Sequence, residues 1–62
     1  MKFYDQFSVG KRVRTRDDVK DFPNKLGKVA KTAKVLGWRT VYVLLDGEHL
    51  EHGFSPKELR SE

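Results

Sequence analysis

Apolar and polar residues alternate along several short stretches of the chain with the period of two that a half-buried strand imposes. In residues 11–16, Val13 falls on one side while Arg12, Arg14 and Arg16 share the other, so a strand is expected there. Thr40-Val41-Tyr42-Val43-Leu44-Leu45 is rich in β-branched and aromatic residues and stops at Asp46-Gly47, a dipeptide that favours a tight hairpin turn. A central strand over 39–45 is expected, with 48–54 returning beside it and carrying Leu50, His52 and Phe54 on one side. Residues 17–25 combine Asp17, Asp18 and Asp21 with Pro23 and Asn24, which reads as a loop anchored by Val19 and Phe22. Ser55-Pro56-Lys57-Glu58 offers Ser at the N-cap, Pro at the first helical position and Glu at the third, the pattern that opens a short helical or 3₁₀ turn. Leu59 then leads into a last strand over 59–61.

The stretch 24–37 supports two readings. As a helix, Leu26, Val29, Ala30, Ala33 and Leu36 fall on one face, Lys25, Lys28 and Lys31 lie opposite, Asn24 is a cap and Gly37 a stop. As a strand, Val29, Ala33 and Val35 share a face with Lys31, an imperfect alternation. Local pattern favours the helix and context favours the strand. Gly27 would cost about 1 kcal/mol inside the first helical turn, and the remaining strands cannot complete a sheet without a partner here. The expectation adopted is a strand over 27–35, with the helix as its rival.

A chain of 62 residues forms one domain with a thin margin of stability. The absence of Cys removes disulfides and thiolate metal sites, so apolar packing and backbone hydrogen bonds must hold the fold. No signal peptide or membrane span is read along the chain, and a cytoplasmic location is expected. The net charge of +4 is unevenly distributed. Residues 11–39 hold ten cations and three acids, whereas residues 40–62 hold two cations and five acids. Such a split creates a positive side suited to phosphate backbones or acidic protein surfaces.

The order Val9-Gly10-Lys11-Arg12-Val13-Arg14, an irregular loop to Leu26-Gly27-Lys28-Val29, a central Val41-Tyr42-Val43-Leu44-Leu45-Asp46-Gly47, and Phe54 with Glu58-Leu59 at the end resembles the small SH3-like β-barrels. That group includes KOW domains and a small accessory protein of the photosystem I reaction centre. The likeness covers residues 9–60 and implies an all-β domain, a five-stranded SH3-like barrel with one short 3₁₀ turn before its last strand. The implied core is Val13, Leu26, Val29, Val41, Val43, Leu45, Leu50, Phe54 and Leu59. Residues 1–8 form an aromatic lead-in to the barrel domain of 9–62, and Phe3, Tyr4 and Phe7 are expected to pack over the barrel as a lid.

The candidate chemistry is that of binding, not of catalysis. Arg12, Arg14 and Arg16, with Lys28 and Lys34 on the neighbouring strand and Arg39 beyond, are read as a basic face that neutralises phosphates. Trp38, at the hairpin joining the second and third strands, either stacks on a base or covers one end of the barrel, and Tyr42 is expected on the outer surface. The partner read from these residues is nucleic acid, DNA or RNA, with an acidic protein surface as the alternative. A monomer or weak homodimer that does not engage membranes is expected. His49 and His52, three apart on a strand, face opposite sides, so no metal site is read, and no cofactor is implied. No nucleophile stands at a readable spacing from a base, and no glycine-rich phosphate loop precedes a helix.

Overall fold

The computed structural model describes residues 7–62. Five antiparallel strands, β1 (Arg12–Thr15), β2 (Leu26–Val35), β3 (Trp38–Leu45), β4 (His52–Phe54) and β5 (Leu59–Ser61), form one sheet in the order β4-β3-β2-β1-β5. A 3₁₀ turn, Pro56–Glu58, joins β4 to β5. The Glu58 carboxylate accepts from the Ser55 backbone N–H at 2.9 Å, one half of the capping box that the sequence pattern suggests, while the Ser55 hydroxyl makes no cap hydrogen bond.

All five strands feed a single apolar cluster: Val13, Val29, Val41, Val43, Leu45, Phe54 and Leu59, joined by Phe7 and Val19. A flat sheet of five strands would set its edges roughly 19 Å apart. Phe54 on β4 and Leu59 on β5 can therefore meet in one core only because the sheet curls around it. The edge strands β4 and β5 share no ladder, however, so the expected closed barrel is replaced by an open five-stranded sheet. The strand order and the 3₁₀ turn before the last strand are compatible with an SH3-like fold.

The ambiguous segment is extended, and the helical rival is excluded. A bulge explains its imperfect alternation. Val29 lies opposite Val43 and Lys31 opposite Tyr42, so Ala30 is the extra residue that resets the pleat. Lys28 and Lys31, three apart, thus both share the side of Leu44 and Tyr42, and inward Val29 is undisturbed.

The turn between β2 and β3 is Leu36-Gly37, with φ of 52° and 82°. Two successive positive φ values are those of a type I′ turn, whose twist suits a two-residue hairpin. The Asp46-Gly47 turn behaves differently. A two-residue hairpin there would set Leu50 opposite Val43, but His52 takes that place and Phe54 lies opposite Val41. Strand β4 is accordingly three residues long rather than the expected 48–54, and Leu50 is 74% exposed instead of in the core. Phe22 packs against this register, its ring 4.4 Å from the His52 ring and edge-on to Phe54 at 6.5 Å. Leu26, also expected in the core, is only half-buried, opposite Arg14 on the outer side.

At Gly27 the backbones of β2 and β3 leave no room for a side chain. A Cβ built there would lie 2.7 Å from Val43 Cγ1 and 2.8 Å from the Leu44 carbonyl oxygen. A carbonyl in a strand ladder cannot step aside, so Gly27→Ala should cost about 1–3 kcal/mol through overpacking. Thermal denaturation followed by circular dichroism would register this as a fall of roughly 4–8 °C per kcal/mol. An unchanged melting temperature would show that β2 and β3 lie further apart.

Phe7 is 3% exposed and belongs to the core cluster. Phe3 and Tyr4 lie outside the described residues. Among the described residues no helix is long and apolar enough to cross a membrane.

Candidate functional site

The curl of the sheet and the β2 bulge sort the cations into two groups. Beyond the bulge, Lys34 pairs with Arg39 across the hairpin, and Arg39 alternates with outward Tyr42 and Trp38. Lys28 and Lys34 therefore leave β2 on opposite sides, and the single basic face expected from the sequence is divided. Arg12, Arg14 and Lys28 occupy the outer face with Lys31 and Arg60; Arg12 is opposite Lys28, and Arg14 opposite Arg60. Two of these arginines have partners at long sequence separation. Arg12 meets Asp46 at 3.2 Å, and Arg14 Nε donates to Glu62 at 3.1 Å. Exposed pairs of this kind are worth about 0–1 kcal/mol, enough to lower the local potential without locking the face. Lys31 Nζ sits 5.0 Å from the centroid of the Tyr42 ring, which lies across Gly53.

The second group gathers at the end of the molecule where the β2–β3 hairpin approaches the 3₁₀ turn. A groove of about 450 Å³ opens there. Arg16, Arg39 and Lys57 line it, the exposed Trp38 supplies aromatic surface, and Pro56 and the buried Phe7 and Leu59 form its apolar floor. Among the described residues, no acid lines it.

Arg16 is held in place from both sides. Its N–H donates to the Glu58 carbonyl at 2.9 Å, and its own carbonyl accepts from Val19 and Asn24, each at 3.2 Å. Its side-chain Nε donates to the Lys57 carbonyl at 2.9 Å, which orients the guanidinium along the 3₁₀ turn. Lys57 is exposed near the end of that turn. Trp38 is 78% exposed, so the alternative in which it covers the core is not realised.

Of the residues singled out from sequence, the structure brings Arg16, Lys34, Trp38 and Arg39 to this end and leaves Arg12, Arg14 and Lys28 on the outer face. Lys57 was missed. It reaches the groove only because β5 pairs with β1, a relation with no local signal. The His52 ring lies against Phe22, tilted by 42°, and its Nε2 lies 3.7 Å from Glu48. Compared with known proteins, the chain matches no family model, no curated protein and no solved structure.

Proposed function

We propose that this domain is a non-enzymatic nucleic-acid-binding module whose contact surface is the groove end rather than the whole basic half of the sequence. The observation that supports this reading best is the acid-free lining of the groove among the described residues, with three cations set around an exposed tryptophan. Arg16, Lys34, Arg39 and Lys57 contact phosphates in this reading, and Trp38 contacts a base. Such a surface gives affinity that is largely independent of sequence and falls with salt as counterions are released.

With four phosphate contacts, the log-log dependence of affinity on salt should have a slope of about −3 to −4. Lys57→Ala should make that slope shallower by about one unit, whereas Arg12→Ala on the outer face should leave it unchanged. Fluorescence anisotropy of labelled oligonucleotides at several salt concentrations measures both. Absence of binding at low salt would end the proposal, and an equal response to the two variants would move the contact to the outer face.

A further inference from the structure

Two apolar side chains stand in water at the same end of the molecule. Leu36 is 92% exposed and adopts φ 52° at a turn position where Asn, Asp or Gly is favoured. Its conformation is unfavourable, and burial gives nothing back. Trp38, two residues on, is 78% exposed. The whole hairpin from Leu26 to Leu45 contains no Asp or Glu, and Lys34 and Arg39 are the second cross-strand pair behind the turn. The groove beside Trp38 continues this surface toward Arg16, Pro56 and Lys57.

We infer that the ligand taken at this end is a single-stranded nucleic acid, with Trp38 stacked on one unpaired base and Leu36 packed against the next, an inference that rests on the nucleic-acid reading above. The ligand must offer flat apolar faces and closely spaced negative charge together. A duplex offers charge but hides its base faces in the stack, and exposing them requires unstacking. An unpaired strand offers both at no such cost, and aromatic stacking within a cationic groove is the general solution for binding it. An anionic lipid surface also combines apolar matter with charge, but a bilayer is flat and cannot enter a concave groove beside the 3₁₀ turn.

Trp38 is the only tryptophan, so its fluorescence reports the contact directly. The protein would be titrated with oligothymidylate, an abasic oligomer of equal length, a duplex of matched length and vesicles containing phosphatidylserine. Oligothymidylate should quench the emission and bind at least tenfold more tightly than the abasic oligomer or the duplex. Trp38→Ala, followed by anisotropy of a labelled strand, should weaken single-strand binding on the order of 5- to 150-fold and leave duplex binding unaltered. Leu36→Asn guards against a folding artefact: Asn suits the turn, so the melting temperature should hold or rise while single-strand affinity falls. Equal binding of duplex or abasic oligomer would overturn this inference and leave the broader reading standing. Binding to vesicles without binding to any oligonucleotide would overturn both.

Discussion

Phe54→Ala is expected to leave the domain largely unfolded at 25 °C. Phe54 is 5% exposed, sits opposite Val41 and receives the Phe22 ring edge-on. Removing a buried phenyl ring costs about 3–5 kcal/mol once the cavity is counted. A core this small supplies little more than about 3–5 kcal/mol in total, so the loss consumes the whole margin. Phe54→Leu retains most of the volume and should remain folded. The informative companion is Leu50→Ala. With Leu50 74% exposed, that substitution should change stability by no more than about 0.5 kcal/mol. Urea titration followed by circular dichroism compares the three variants. A large cost at Leu50 with a small one at Phe54 would restore the hairpin register that the Asp46-Gly47 turn suggests and remove the one observed.

The same pair of residues shows what could be read in advance. Alternation in residues 39–45 located β3 because both of its neighbours demand one inward face, and seven of the nine core residues expected from the sequence are buried. The register of β4 was not legible, since it goes with a contact between His52 and Phe22, a loop residue 30 positions earlier whose ring lies tilted against it. The segment over β2 misled in a different way. Its pattern looked helical because a bulge at Ala30 places Lys28 and Lys31 on one side three residues apart, a spacing that a straight strand forbids and a helix produces. The candidate site was legible in its parts and not in its grouping. Charge density pointed to Arg16, Lys34 and Arg39, and exposure of Trp38 was one of the two arrangements its hairpin position allowed. The division of the cations followed from that bulge. The partial neutralisation of Arg12 and Arg14 came from Asp46 and Glu62, separated from them by 34 and 48 positions. No short-range pattern announces either relation.

Thr15 connects stability to the groove, and Thr15→Val is the second substitution expected to have a large effect. Period-two alternation puts Thr15 on the inward side with Val13, yet it is a polar residue 1% exposed. Its hydroxyl resolves the conflict by donating to the Phe22 carbonyl and accepting from the Lys25 N–H at 2.7 Å. Those two bonds tie Thr15, at the start of the loop, to its far side at Phe22 and Lys25, and so hold the loop whose Val19 enters the core and whose Phe22 packs against it. Valine keeps the shape and removes the hydroxyl, so a carbonyl and an N–H lose their partner in a partly buried setting at about 1–3 kcal/mol each. The expected cost is about 2–6 kcal/mol, with Thr15→Ser, which keeps both bonds, losing roughly 1 kcal/mol for its methyl group. Hydrogen exchange should localise the change, with the Lys25 amide losing protection in the valine variant and keeping it in the serine variant. The consequence extends to binding, because Arg16 follows Thr15 directly and its carbonyl is held by Val19 and Asn24 of the same loop. A loosened loop releases one cationic wall of the groove, so oligonucleotide affinity should fall in Thr15→Val even under conditions where the domain stays folded. If affinity is unchanged while the loop exchanges freely, Arg16 is held by its bonds to Glu58 and Lys57 alone, and the loop has no part in shaping the contact surface.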